Sequence, residues 1–168
     1  EIFSPKRDYL DYIVNTLWFT LATTVLKTGL ALAFALLLSR GVRGLNLHRS
    51  VLYMPAVLSV LIVGMVFTSI LDPRYGLLNQ SLRAVGLDAL TQKWLTNPQI
   101  AMWSVIGVDV WRGVGYIMTI LIVGILSISE TYNEAAQIDG ANAWQRFRHI
   151  TLPLLRPTLA VTIVLNVL

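Results

Sequence analysis

The sequence predicts an all-α membrane protein whose chain crosses the bilayer several times. Hydrophobic residues make up 55% of its 168 residues and charged residues only 13%, whereas soluble domains average about 25% charged residues. Three runs with almost no charge are each long enough to cross a hydrocarbon core of about 30 Å at about 1.5 Å per residue. These runs are residues 13–38, 51–71 and 100–126. We therefore expect a polytopic helical bundle.

The first two predicted spans are separated by a short basic loop. The first span covers about residues 10–38 and ends at the sequence SRGVRG, where Gly41 and Gly44 interrupt the helical pattern. The second span covers about residues 51–71. Pro55 falls in its predicted first turn, where a missing N–H group costs little.

A polar loop of residues 72–99 separates the second span from the third. Its Asp-Pro, Tyr-Gly and Asn-Pro pairs are typical of turns. Four apolar residues within it indicate a short amphipathic helix on the membrane surface. They are Leu77, Leu78, Leu82 and Val85. The third span then covers about residues 100–126.

The last apolar run is predicted to begin near Pro157 and contains residues 158–168. It is too short to cross the bilayer, because a transmembrane helix needs about 20 residues. The sequence also lacks a starting Met, and its beginning does not have the pattern of a signal peptide. We therefore interpret the chain as a fragment, or as the ordered part of a longer protein.

Lysine and arginine positions predict the orientation of the chain. The short loop 40–49 carries three arginines and no acidic residue, whereas the longer loop 72–99 carries three basic and two acidic residues. Basic residues concentrate in cytoplasmic loops, although the total numbers on the two sides are nearly equal here. We expect loops 40–49 and 127–156 to be cytoplasmic and loop 72–99 to be external.

The most polar long stretch of the chain is EAAQIDGANAWQRFRHITLPLLRP. Just before it, Ser127 and Glu130 have the S-x-x-E spacing of a capping box, which predicts that a helix begins there and continues to about Ile138. Asp139 and Gly140 form a turn pair, and glycine can take the positive φ that ends a helix.

A second short helix is predicted after this turn. Ala143, Phe147 and Ile150 form an apolar stripe at helical spacing, and Pro153 is expected to end the helix. The residues alone leave two interpretations equally open. The pair of helices either lies on the bilayer with its apolar stripe among the headgroups, or it is a docking surface for a partner.

The same stretch resembles a family motif. It matches the pattern E-A-A-x3-G-x9-I-x-L-P at every position, which is the signature loop of the inner-membrane permease subunits of binding-protein-dependent ABC importers. The stretches LDPRYGLLNQSLRAVGL and DGANAWQRFRHITLPLLRPTL resemble the carbohydrate and glycerol-3-phosphate branch, and within it the first of the two paired permeases (the maltose-permease-F type). The matching residues are Glu134, Ala135, Ala136, Gly140, Ile150, Leu152 and Pro153.

The resemblance implies the helical bundle of a type I ABC importer permease, with a cytoplasmic helix-turn-helix coupling loop over about residues 127–156. Of about six core spans, this chain would contain spans two to four and the start of the fifth. The resemblance also implies import of a sugar or sugar-like solute, glycerol-3-phosphate included, across a prokaryotic inner membrane. The implied partners are a second homologous permease subunit, two cytoplasmic ABC ATPase subunits, an extracytoplasmic solute-binding protein and the lipid bilayer, and not nucleic acid.

In this family the loop is a coupling helix that sits in a groove of the ATPase. Ala135 and Ala136 are small enough for close approach, Glu134 offers a charge to a basic partner, and Gly140 sets the angle between the helices. The expected ATPase-coupling residues are therefore the motif residues together with Asp139. ATP and Mg²⁺ would bind to the partner ATPase, and we expect no cofactor on this chain.

The sequence shows no catalytic pattern. None of its lysines follows a glycine, so a phosphate-binding loop is absent and the chain is not the ATPase. His48 and His149 are far apart and do not form an H-x-x-x-H motif, so a metal site is not expected. The chain has no cysteine. We expect a transport subunit and not an enzyme.

Polar residues inside the predicted spans are candidates for function, because a charge there costs about 2.5–3.5 kcal/mol. Four polar residues of the third span fall within about 80° of one another at about 100° per residue, and Lys27 shares a face of the first span with three threonines. The stripes either line a hydrated pathway, or Asp109 and Arg112 form a self-neutralising i, i+3 pair. The candidate pathway residues are Lys27, Asp109, Arg112, Tyr116 and Thr119.

Three functions remain under consideration from the sequence. The first is an ABC importer permease for a sugar-like solute or for another solute class. The second is an ion-coupled transporter that uses Asp109 and Lys27 as coupling groups, although such a carrier has no need of a loop that docks on an ATPase. The third is a membrane scaffold that binds a soluble partner, which would not explain the polar stripes inside the spans.

Overall fold

A computed structural model describes residues 6–39 and 45–167, and within these ranges the chain is helical apart from turns. The all-α class is therefore confirmed for this part of the chain. The predicted break at Gly41 and Gly44 lies outside the described residues. A 3-10 turn covers Asp88–Leu90 and a π-helical turn covers Phe147–Thr151. The α-helices are α1 (Lys6–Leu38), α2 (Leu45–Val57), α3 (Val60–Ile70), α4 (Leu77–Ala84), α5 (Pro98–Leu126), α6 (Glu130–Ile138), α7 (Ala143–Arg146) and α8 (Leu152–Val167).

Among the described residues, three helical stretches are long and apolar enough to cross a membrane, or four if α2 and α3 count as one broken span. They are Tyr9–Leu38, Pro98–Leu126 and Ala143–Val167. The first two cover the predicted spans 10–38 and 100–126. The third differs from the prediction, because it begins well before Pro157 and its 25 residues exceed the short run expected there.

The predicted second span, 51–71, is divided in the structure. Helix α2 ends at Val57 and α3 begins at Val60, so Leu58 and Ser59 interrupt the helix. Pro55 lies in the interior of α2 and not in its first turn. A proline there removes one backbone hydrogen bond and weakens the helix just before the break.

Contacts between residues divide the described chain into two compact units. The first comprises the described residues up to Ala22 together with Val57–Arg112, and the second comprises Thr23–Ala56 and Gly113–Leu168 as far as they are described. In the first unit, Trp18 meets Trp103 edge-to-face at 6.2 Å between ring centroids.

The loop of the first unit is ordered by polar side chains. The amphipathic helix predicted there is present as α4. Asp72 precedes it, and its Oδ1 accepts hydrogen bonds from the N–H groups of Arg74 and Tyr75, both 2.8 Å. These two bonds hold the pKa of the Asp72 carboxyl below its ordinary value, because they favour the charged form.

Asn79 holds the beginning and the end of this loop together by hydrogen bonds. It is 2% exposed, and its Nδ2 donates to the carbonyl oxygens of Pro73 (3.2 Å) and Gln92 (2.9 Å). Its Oδ1 accepts from the Gln92 N–H (3.3 Å) and from the Trp94 Nε1–H (2.8 Å). All four hydrogen-bonding positions of the amide are therefore occupied.

The core of the second unit lies between α1, α5 and α8. Its buried residues are Ala31, Ala35, Leu38, Val114, Ile117, Met118, Leu121, Ile122 and Leu155. Helix α2 also approaches α5 closely, because a β-carbon added at Gly115 would collide with the Leu52 carbonyl group. Small residues allow such close approach of helix backbones in membranes.

Candidate coupling loop and polar residues of the spans

The candidate coupling loop begins where α5 ends. The Ser127 hydroxyl donates to the Gly124 carbonyl at 2.8 Å, so Ser127 belongs to the end of α5. The predicted capping box between Ser127 and Glu130 is therefore wrong. Helix α6 begins at Glu130 after Ser129, whose hydroxyl donates to Thr131 Oγ1 (3.1 Å) and does not cap a backbone N–H.

The end of α6 follows the prediction closely. The helix stops at Ile138, and Gly140 has φ +79°. The Gly140 N–H donates to the Gln137 carbonyl (3.0 Å), and the Ala141 N–H donates to the Ala136 carbonyl (2.8 Å). This pair of bonds is the Schellman arrangement that ends a helix. The predicted positive φ at Gly140 is confirmed.

A capping box that the sequence analysis missed starts the next helix. Asn142 Oδ1 accepts from the Gln145 N–H at 2.9 Å, and Gln145 Oε1 accepts from the Asn142 N–H at 2.8 Å. The N-x-x-Q spacing of Asn142 and Gln145 is the sequence signal that predicts this capping box. The two side chains fix the point at which the chain turns from α6 into α7.

The helix that begins at Ala143 does not stop at Pro153, so the predicted helix end there is wrong. It passes through the π-helical turn Phe147–Thr151, where the Leu152 N–H donates to the Phe147 carbonyl. In a regular α-helix the ring of Pro153 would crowd the carbonyl group of His149, four residues earlier. The wider π-helical turn contains His149 and so lies where this conflict would arise. The second half of the loop is consequently the beginning of the 25-residue helix Ala143–Val167.

The predicted coupling residues differ in exposure. Glu134, Ala135, Asp139 and Gly140 are exposed, whereas the remaining four are partly buried. These four are Ala136, Ile150, Leu152 and Pro153.

Large apolar side chains on the same loop are also open to the surroundings. The exposed fraction is 86% for Ile138, 64% for Trp144 and 57% for Tyr132. Exposed apolar side chains of this size are available for contact with a partner or with the membrane. The sequence analysis did not single them out.

Three candidate pathway residues lie in the second unit. The Lys27 side chain lies across α5 at Gly113. Tyr116 is 40% exposed, and the Thr119 hydroxyl donates to the Gly115 carbonyl of its own helix at 2.9 Å. The Thr119 donor is therefore already in use, which leaves its lone pairs as the group that a solute could reach.

The other two candidates, Asp109 and Arg112, lie in the first unit, and both are partly buried. Within the described ranges, Arg112 takes part in no salt bridge, and its Nε is buried without a hydrogen-bond partner. The self-neutralising pair of Asp109 with Arg112, which the i, i+3 spacing allows, is therefore not formed.

Comparison with known proteins identifies the family. Residues 27–168 match the family described as binding-protein-dependent transport system inner membrane component, and the chain belongs to this family. It is similar to the probable ABC transporter permease protein YurN of Bacillus subtilis (strain 168), with 36% identity over 99% of this chain and 57% of that protein. It is also similar to the trehalose/maltose transport system permease protein MalF of Thermococcus litoralis, with 32% identity over 98% of this chain and 58% of that protein.

A solved structure has the same fold. It is the bacterial alginate ABC transporter in complex with an alginate pentasaccharide-bound periplasmic protein, with a TM-score of 0.85 and 28% identity over 96% of this chain and 56% of the matched chain. The chain spans somewhat more than half the length of these relatives. The family and the apolar helices together make it a membrane protein and an ABC transporter permease component.

Proposed function

We propose that this chain is part of the permease subunit of an ATP-driven importer and that residues 127–156 couple it to a cytoplasmic ATPase. One observation carries the proposal: α6, with its exposed Glu134 and Ala135, is joined to the helix Ala143–Val167 by a turn, residues 139–142, whose four backbone N–H groups are all hydrogen-bonded. A rigid turn transmits a displacement of α6 to the long helix. A flexible turn would absorb it.

The chemistry of α6 suits a protein groove. Ala135 and Ala136 allow a partner backbone to approach, and the Glu134 carboxylate can pair with a basic side chain of the ATPase. The exposed side chains of Ile138 and Trp144 would lose contact with water in such a groove. Burial of large aromatic and aliphatic side chains supplies much of the binding free energy at protein interfaces.

We also propose that the solute is a sugar or sugar-like molecule, glycerol-3-phosphate included. The support comes from relatives named as permeases for trehalose/maltose and for starch degradation products, and from the alginate transporter structure. Sugar hydroxyls both donate and accept hydrogen bonds, and the guanidinium of the partly buried Arg112 carries several donors that suit such a group. Lys27, Asp109, Tyr116 and Thr119 would supply further polar groups along the pathway.

The remaining parts of the proposed transporter are separate subunits. A second homologous permease would complete the pathway, two ABC ATPase subunits would bind ATP and Mg²⁺, and an extracytoplasmic solute-binding protein would deliver the solute. This chain would carry no catalytic group of its own.

Affinity purification of the full-length protein tests the proposal. We expect an ATPase and a second permease to co-purify with it, and we expect the assembly reconstituted in liposomes to take up a saccharide only when ATP and the binding protein are present. A monodisperse full-length protein that purifies without an ATPase, and that transports in response to an ion gradient, would contradict the proposal.

A further inference from the structure

The loop of the first unit contains a basic cavity. It has a volume of about 460 Å³, and Arg74, Arg83 and Lys93 line it without any acidic residue. Within the described ranges, the side-chain nitrogens of these three residues make no hydrogen bond or salt bridge. The acidic group closest in sequence is Asp72, whose Oδ1 is occupied by two backbone N–H groups. Arg74 also interacts electrostatically with the Asp72 carboxylate, so Arg83 and Lys93 are the charges of the cavity that are available to an anion.

An apolar cavity lies in the same unit. It has a volume of about 410 Å³, and aromatic side chains from α3, α5 and the loop dominate its walls. Its one hydroxyl, that of Ser104, donates to the carbonyl oxygens of Trp94 (2.8 Å) and Ile100 (3.2 Å). The main aromatic residues of its walls are Phe67, Trp94, Trp103 and Trp111.

A hydrogen bond joins the linings of the two cavities, since Asn79 lines the basic cavity and accepts from Trp94 of the apolar one. Residues that are adjacent in sequence line different cavities. Leu78 and Trp94 line the apolar cavity, whereas their neighbours Asn79 and Lys93 line the basic one. The Asn79 amide accepts from the Trp94 indole on the apolar side and bonds the Gln92 backbone on the basic side. The network around Asn79 thus forms the boundary between a basic and an apolar compartment.

We infer that the two cavities together bind one anionic phospholipid, with its phosphate in the basic cavity and an acyl chain in the apolar one. The loop leads into Pro98–Leu126, which is long and apolar enough to cross the bilayer. Helix α4 exposes Leu77 at 63%, as an amphipathic helix at the membrane surface does. Arg and Lys side chains bind phosphate groups through charge-assisted hydrogen bonds.

A lipid accounts for both compartments, whereas the alternatives account for one. An acidic patch of a solute-binding protein would use the cations and leave the apolar cavity without a ligand. A saccharide in the apolar cavity would stack on its indole rings and leave the cations of the basic cavity without an anion. The inference does not depend on the coupling of residues 127–156 to an ATPase.

The full-length transporter, delipidated in detergent and titrated with single lipids, tests the site by native mass spectrometry. We expect phosphatidylglycerol to be retained more strongly than phosphatidylcholine. The double variant Arg83→Gln, Lys93→Gln should lower the apparent affinity for phosphatidylglycerol by roughly tenfold and remove the preference, since each basic residue contributes separately to attraction of an anionic lipid.

Two further experiments test the apolar cavity by itself and ask whether the acyl chains are needed for binding. Gly107→Leu fills the apolar cavity, where an added β-carbon meets nothing within 4 Å, and should weaken retention of both lipids. Glycerophosphoglycerol, which has the headgroup but no acyl chains, should compete weakly. Arg148→Gln, an exposed arginine outside the loop, is the control and should retain wild-type lipid binding.

Three results would overturn the inference. Equal retention of phosphatidylglycerol and phosphatidylcholine would show that the basic cavity does not select an anionic headgroup. Unchanged retention in Gly107→Leu would mean that an acyl chain does not enter the apolar cavity. Loss of solute-binding-protein affinity in the double variant, with phosphatidylglycerol retention unchanged, would assign the basic cavity to that protein.

Discussion

The Lys27 side chain lies directly on the backbone of α5 at Gly113. A β-carbon added to Gly113 would stand 3.0 Å from Cδ, 3.2 Å from Cε and 3.3 Å from Nζ of Lys27. A lysine within a membrane span is costly unless its charge is accommodated, and the absence of a side chain at position 113 gives this one its place. Gly113 therefore positions a candidate pathway residue.

Replacing Gly113 should disturb transport through Lys27. In Gly113→Val the new side chain occupies the path of the lysine, and overpacking of this kind costs about 1–3 kcal/mol unless Lys27 moves away. We expect impaired ATP-driven uptake with little loss of assembled transporter. Gly29→Val is the matched control, because nothing lies within 4 Å of its added β-carbon. Equal uptake by the two variants would show that the position of Lys27 is unimportant.

Charge on α5 should matter for transport more than for assembly. Asp109→Asn and Arg112→Gln keep the size of each side chain and remove its charge. If both residues line the pathway, uptake in proteoliposomes should fall in each variant while the amount of purified complex stays near that of the wild type. Uptake by Asp109→Asn at the wild-type rate would mean that this residue is structural.

Asn79 should stabilise the loop far more than its neighbour Gln80. Asn79→Ala removes four hydrogen bonds and leaves buried groups unpaired, and each unpaired buried group costs about 1–3 kcal/mol. Gln80 makes one exposed bond, to the Tyr75 carbonyl at 2.9 Å, so Gln80→Ala should be nearly neutral. Limited proteolysis between residues 72 and 97 measures the difference. Similar cleavage rates in the two variants would contradict this assignment.

The predicted orientation can be tested by labelling, because the chain has no cysteine of its own. An impermeant thiol reagent should label Arg83→Cys only from outside the cell. The same reagent should label Asn133→Cys, in the coupling loop, only in inverted vesicles. Labelling of position 83 from the cytoplasmic side would reverse the orientation.

Local sequence patterns predicted the parts of the fold that depend on neighbouring residues. The positive φ of Gly140 follows from an Asp-Gly pair at the end of a helical pattern, and the amphipathic α4 follows from its apolar spacing. The continuous helix through Pro153 could not be predicted, because the rule that proline ends a helix assumes regular α geometry before it. The π-helical turn that removes this conflict has no pattern of its own in the sequence.

Contacts distant in sequence could not be predicted from one sequence. The Asn79 network joins residues 13 and 15 positions apart, and no periodic pattern marks its members. Similarly, Asn166 Nδ2 of α8 donates to the Thr28 hydroxyl of α1 at 3.2 Å, which is a polar contact between two apolar helices. In the candidate site, the family motif located α6 and its turn, whereas the exposed Ile138 and Trp144 became apparent only in the structure.

The coupling account depends on Glu134 and on the conformation of Gly140. Removing one partner of a partly buried interfacial charge pair can cost a few kcal/mol, so Glu134→Ala should weaken ATPase binding. Gly140→Leu places a side chain at φ +79°, which costs about 1–2 kcal/mol and changes the direction of the chain between α6 and α7. Glu130→Ala, an exposed acid one turn earlier on α6, and Gly140→Asn, which tolerates positive φ, are the matched controls.

The most direct test is the amount of ATPase that co-purifies with each full-length variant, measured together with ATP-driven uptake. The double variant Glu134→Ala, Gly140→Leu should enter the membrane and pair with the second permease, yet lose most of its ATPase and its uptake, while both controls remain close to the wild type. Wild-type ATPase recovery and uptake in the double variant would contradict the assignment of residues 127–156 as the coupling loop.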